Sequence, residues 1–189
     1  ISDMLPHLAG NDRKVVVRVN SLDTGLLEAD LESALGRFTF GINVGKVESV
    51  WDVRQVEKIL YRIENNKGLG YGSTRLILFI ESAKAVLNAE SILGCSPRIV
   101  AAAFGAEDFT VDMDVERTEN GTEIFLPRAM TAMAAIVVIT ESAGIPSLPS
   151  SPPTPPPALV KMWMTAQEPT TTYWPSAEMA TDSTLSPVV

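Results

Sequence analysis

Cysteine and histidine each occur only once in the 189-residue sequence, as Cys95 and His7. A lone cysteine cannot close an internal disulfide and has no C-x-x-C companion for zinc, so a packed core must hold the fold; a reducing compartment fits that usage. His7 lies ahead of the first apolar segment and is read as a solvated residue rather than a base. Long apolar runs are missing too. No stretch approaches the roughly 18 consecutive apolar residues that span a bilayer, and no basic segment followed by an apolar core opens the chain. The expectation is a protein that is neither secreted nor membrane-spanning, with cytoplasm and mitochondrion equally compatible. Positive charge is scarce, 15 Lys and Arg against 23 Asp and Glu for a net charge of −8, which argues against a nucleic-acid partner. The chain starts at Ile1 rather than Met, as a processed chain or a fragment would.

Proline is almost absent from the first 145 residues and concentrated after them. Residues 146–189 carry ten of the 13 prolines and only four charged side chains (Lys161, Glu168, Glu178, Asp182). The run "PSLPSSPPTPPPA" lacks backbone donors where a helix or central strand would need them, so this segment is expected to be a disordered tail. Trp163 and Trp174 are too few to offset the entropy of ordering it.

Residues 12–145 are therefore the candidate folded domain. Four runs rich in β-branched and other apolar residues recur there: "KVVVRVN" (14–20), "FGINVGK" (40–46), "RLILFIE" (75–81) and "IVAAAFG" (99–105). Each reads as a strand of a parallel sheet covered on both faces. Between them lie helix-period segments at 26–36, at 50–63 and around 84–94, and another follows at 122–143, ending at Gly144 with Pro127 marking a kink or the first turn of its longer part. This alternation predicts an α/β fold of parallel βαβ units.

Polar residues gather where these strands end. Arg18 and Asn20 close the first run, Lys46 and Glu48 the second, Glu81 the third, Glu107 and Asp108 the fourth. In parallel α/β architectures the loops after the strands converge on one site. Strands also end in charge simply because they reach the surface, but four in succession favour a shared pocket. Glu81 and Asp108 come from neighbouring strands and suit Mg²⁺, which takes one or two protein carboxylates at about 2.0–2.1 Å and leaves its other positions to ligand oxygens. Gly105 lets the backbone approach a ligand, with adjacent N–H groups such as that of Ala106 facing the site. The rigid donor fork of Arg18 suits a substrate carboxylate. Metal, arginine and backbone amides together would hold a 2-oxo or 2-hydroxy acid. A metal there would stabilise an enolate oxygen as a C–C bond breaks or forms.

Other signals carry less. "GLGYGS" (68–73) has the glycine density of a phosphate loop but precedes a strand instead of opening a helix. "DMDVERTENGTE" lacks the spacing of a calcium loop. Met130, Met133, Ile136, Val137 and Ile139 recur at helical spacing, which is read as an expectation of core packing.

The segments "VVVRVNSLDTG", "GKVES", "LILFIESAKAVLNAESI", "SPRIVAAAFGAEDFTVDM" and "ERTENGTEI" together resemble the citrate lyase β-subunit-like branch of the HpcH/HpaI aldolases, over roughly residues 12–145. The resemblance implies a (β/α)₈ barrel, often trimeric, that cleaves or forms C–C bonds with Mg²⁺ in malyl-, citramalyl- or citryl-type thioesters of coenzyme A. It places the metal ligands on Glu81 and Asp108 and the substrate-carboxylate arginine on Arg18. Two departures are mild: the family's L-P-K-V-E-S stands here as Val44 to Ser49 with Gly45 for the proline, and its E-T-A-R as Glu81 to Lys84. Two others are large. The family's opening strands, with R-S-x-L-F-V-P-G and D-L-E-D, are not found, and neither is the I-D strand or the catalytic aspartate it donates to a neighbouring subunit. The expectation is a partial barrel holding strands three to six of eight, from a shortened or frame-altered gene product. Its alternative to a lyase is an inactive remnant that associates with a full-length paralogue or is degraded.

Overall fold

The computed structural model describes residues 3–9 and 13–142. Helix α1 (Leu5–Leu8) is followed by strand β1 (Val15–Val19), helix α2 (Leu27–Ala34), β2 (Thr39–Val44), α3 (Val50–Asn66), β3 (Arg75–Ile80), α4 (Ala83–Leu87), α5 (Ala89–Gly94), β4 (Ile99–Phe104), α6 (Ala106–Asp112) and α7 (Thr122–Ser142). The strands form one sheet in the order β1-β2-β3-β4, and every neighbouring pair is parallel. All four expected strands are present within two residues of the expected limits. Gly144 and the 146–189 segment fall outside the described residues. Among the described residues no helix is long and apolar enough to cross a membrane.

Side chains alternate across the sheet as the period of two requires. Val19, Ile42, Val44, Leu76, Leu78, Ile80, Ala102 and Phe104 point to one face and pack there with Leu27, Leu31, Val53, Val56, Leu60, Ile63, Ile92 and Ile124 from the helices. Arg18, Asn43, Ile77, Phe79 and Ala101 belong to the other face by register. β3 accordingly alternates half-buried and buried along its length. The expectation of strands covered on both faces is thus corrected: among the described residues the core helices pack on one face. The physical reason is curvature. In a barrel the second face turns inward and is covered by strands opposite, so a near-continuous apolar run is compatible with one helical layer.

One further detail differs from the periodicity. The 84–94 segment breaks at Asn88, which ends α4 and begins α5 with φ −99° and ψ 5°. Pro127 lies inside α7 and the helix continues past it, with the Thr131 hydroxyl donating to the Pro127 carbonyl at 2.9 Å. Gly41 is required by close approach: a Cβ there would lie 2.7 Å from the backbone oxygen of Arg75 on β3. Gly41→Ala should therefore force β2 and β3 apart and lower the unfolding free energy by about 1–3 kcal/mol in a denaturant titration. A loss under about 0.5 kcal/mol would show that the strands yield freely.

At the N-terminal end of the strands sits a buried ion pair. Both Nη atoms of Arg98 donate to Glu64 at 2.8 Å, one to each carboxylate oxygen. Glu64 also accepts from the backbone N–H groups of Gly72 and Thr74 at 3.1 and 2.9 Å. The "GLGYGS" connection is thereby tied to the end of α3, and Arg98 lies 5.0 Å from the ring centroid of Tyr71 within it.

Candidate metal and acid site

At the opposite, C-terminal end of the strands, the loops after β2 and β3 are cross-linked. Lys46 takes a left-handed conformation (φ 53°). Its backbone N–H donates to Glu81 Oε1 at 2.7 Å. In return the Ser82 hydroxyl donates to Glu48 Oε1 at 2.8 Å, Lys84 pairs with Glu48 at 3.2 Å, and the Asn88 amide donates to the Glu48 carbonyl at 3.1 Å. Ser49 and Ser82 are also N-caps, accepting from the N–H of Asp52 and of Ala85. Each Glu-Ser pair thus starts a helix and fastens the neighbouring strand's loop. Sequence reading reached Lys46 and Glu48 but assigned them no partner; the repeated Glu-Ser after β2 and β3 was the available signal.

Glu81 is 4% exposed and its carboxylate lies between two glycines. A Cβ on Gly45 would fall 2.7 Å from Oε1, and one on Gly105 would fall 2.6 Å from Oε2. Gly105 donates its own N–H to the Ile80 carbonyl at 3.0 Å, so what it gives the site is space for Glu81 rather than a free donor. Ala106 is the first residue of α6. Asp108, exposed on the first turn of α6, is near enough for its charge to act on Glu81. Burial pushes the Glu81 carboxyl above the ordinary carboxylate range, the Lys46 N–H opposes this, Asp108 pushes it further up, and Arg18 pulls it down. Glu107, by contrast, turns aside to pair with Arg117 at 2.6 Å. Arg18 projects from β1 with its guanidinium 5.1 Å from the ring centroid of Phe79.

Arg18, Glu81 and Asp108 are therefore brought to one mouth from three elements. Among the described residues no group of three or more His, Cys, Asp or Glu side chains converges. The donor set is two carboxylates, one buried with a single backbone donor and held against its neighbour's charge. That set fits a hard divalent cation, whose remaining positions go to water or ligand oxygens. Gly105→Ala should displace the Glu81 carboxylate and, if the site holds Mg²⁺, weaken its binding at least about tenfold by calorimetry, since supporting-shell changes alone cost 10–100-fold. Unchanged affinity would show that the glycine cradle has no bearing on the metal.

Residues 1–150 match the family model described as HpcH/HpaI aldolase/citrate lyase. The chain belongs to this family. Its citrate lyase subunit β from Escherichia coli strain K12 is 35% identical over 141 residues, covering 75% of this chain and 45% of that one. The L-malyl-CoA/beta-methylmalyl-CoA lyase of Cereibacter sphaeroides is 36% identical over 112 residues, 56% of this chain and 34% of the relative. The chain thus spans less than half the length of these HpcH/HpaI relatives. Among solved structures, a citrate lyase β subunit from Mycobacterium tuberculosis complexed with oxaloacetate and magnesium superposes with a TM-score of 0.51 at 22% identity, covering 65% of this chain and 50% of that one. The likeness is one of fold. The four parallel strands with helices on one face are an arc of the HpcH/HpaI barrel.

Proposed function

We propose that this site is that of a Mg²⁺-dependent carbon–carbon lyase acting on a hydroxyacyl-coenzyme A thioester or a 2-oxo acid, of the citryl, malyl or citramalyl kind. The observation that carries the reading is the Glu81 carboxylate, buried between Gly45 and Gly105 with Asp108 beside it and Arg18 at the same mouth. Glu81 and Asp108 would hold the metal. Arg18 would grip the acid's carboxylate through its paired donors. The metal, when bound, would stabilise negative charge on an enolate oxygen during C–C cleavage. The names of the relatives support this assignment: one is a malyl-CoA lyase, and the Mycobacterium tuberculosis structure holds oxaloacetate with magnesium. The residue that moves the proton is not assigned. The functional unit of the proposal is residues 12–145, and assembly into a trimer belongs to it.

A second reading is favoured by the sheet itself. β1 and β4 each have one strand neighbour among the described residues, and Phe125, Leu126 and Ile136 of α7 are exposed. Such an arc could serve as an inactive remnant that pairs with a full-length relative through its edges. A thermal melt of the full chain with millimolar Mg²⁺, alongside a retro-aldol assay on malyl- and citramalyl-CoA, separates the two. Turnover without any partner subunit would rule out the remnant; a melt unmoved by metal would remove the metal site.

A further inference from the structure

Asn43 sits in the middle of the open face of the sheet, level with Arg18 on one side and Ile77 on the other. It is 8% exposed although the helices pack on the opposite face. Arg18 starts level with it on the same face. The arginine starts on β1 and its guanidinium lies against Phe79 of β3, so its arm crosses β2 from the level of Asn43 toward that of Gly45. Beneath it, Asn43 Oδ1 is buried without a hydrogen-bond partner. Buried polar atoms in native structures are overwhelmingly paired, so an exception calls for an explanation, and a bound ligand that completes the contact is one.

Taking the metal-and-acid reading of this site as its basis, we infer that Asn43 sets substrate specificity: its Oδ1 accepts a hydrogen bond from a hydroxyl carried by the bound acid close to the carboxylate that Arg18 grips. The carboxylate alone cannot satisfy Oδ1, because both groups only accept. An acid with no donor at that end closes the site over an unpaired acceptor and is penalised for it, whereas a hydroxylated acid pairs it. Discrimination thus comes from the cost of the wrong ligand. The opposite amide orientation would aim the Asn43 N–H groups at the carboxylate and abolish the preference, so the two orientations give opposite results.

The test uses the full 189-residue chain with Mg²⁺ and two 2-oxo acids that differ by one hydroxyl, 3-hydroxypyruvate and pyruvate, titrated calorimetrically. The hydroxylated acid should bind at least about tenfold more tightly. Asn43→Val should shrink that ratio to below about threefold, and Asn43→Thr, of the same shape but with a hydroxyl, should retain more of it. Mg²⁺ affinity without acid should be the same in both variants, and Asn43→Val should raise the thermal midpoint by removing the orphan acceptor. Equal binding of the two acids by the unsubstituted chain, or an unchanged ratio in Asn43→Val, overturns the inference while leaving the acid site standing. If neither acid binds and Mg²⁺ does not shift the melt, the acid-site reading itself fails and this inference falls with it.

Discussion

Replacing Arg98 by alanine should lower the unfolding free energy by about 3–5 kcal/mol at pH 7, because the Glu64 carboxylate stays behind in a buried site without its counter-charge. Glu64 is 1% exposed and Arg98 4% exposed, so solvent screens neither. Burial alone would push the Glu64 carboxyl up, but hydrogen bonds from Arg98, Thr74 and Gly72 outweigh it and hold the pKa down to about 2. A depressed carboxyl contributes stability above its unfolded pKa and loses it as pH falls through the folded value. The drop from 4.5 to about 2 corresponds to roughly 3 kcal/mol, present above pH 5 and lost between about pH 5 and pH 2. Denaturant titrations of the parent and of Arg98→Ala across that range measure both effects, and the acid-sensitive slope should flatten in the variant. A deficit below about 1 kcal/mol at pH 7 would mean that the pair is not the clamp described. Replacing both partners with apolar residues, Glu64→Leu with Arg98→Met, should recover much of the loss, since it is the unpaired charge that is costly.

The second large effect concerns the proposed metal site. Asp108→Ala and, separately, Glu81→Gln should each weaken Mg²⁺ binding by more than about a hundredfold, beyond the loss seen when only supporting residues change. Any Mg²⁺-induced rise in the thermal midpoint should vanish with it. The two variants differ usefully in stability. Asp108 is exposed and its removal should be nearly neutral, whereas Glu81 is buried and accepts from Lys46. Gln keeps that acceptor, so a folded Glu81→Gln protein with intact metal binding would contradict the ligand assignment directly. A persistent shift in Asp108→Ala would do the same for the second ligand.

Much of this architecture could be read from the sequence because parallel strands leave a distinctive trace. Runs such as Arg75–Ile80, flanked by helix-period segments, specify strand and direction together, and the acids after Ile80 and Phe104 then fall at one end by geometry. What escaped was pairing between distant residues. Glu64 and Arg98 are 34 positions apart, and each looks like an ordinary surface charge in isolation. A signal existed: Glu64 follows Val53, Val56, Leu60 and Ile63 on the buried stripe of α3, where a charge needs a partner. Asn43 was hidden in the same way, as the lone amide among Phe40, Gly41, Ile42 and Val44. The one-sided helical cover was invisible for a different reason. A strand facing a barrel's interior and one facing a second helical layer demand the same apolar residues.

The linkage between Glu81 and Lys46 and between Ser82 and Glu48 runs in both directions across the gap between β2 and β3. Neither connection can swing outward without breaking a bond that the other supplies, so the two segments open together or not at all. A cation arriving at Glu81 would meet a ligand already fixed in place by its neighbour, and the ordering entropy of that carboxylate would have been met during folding rather than at the moment of capture.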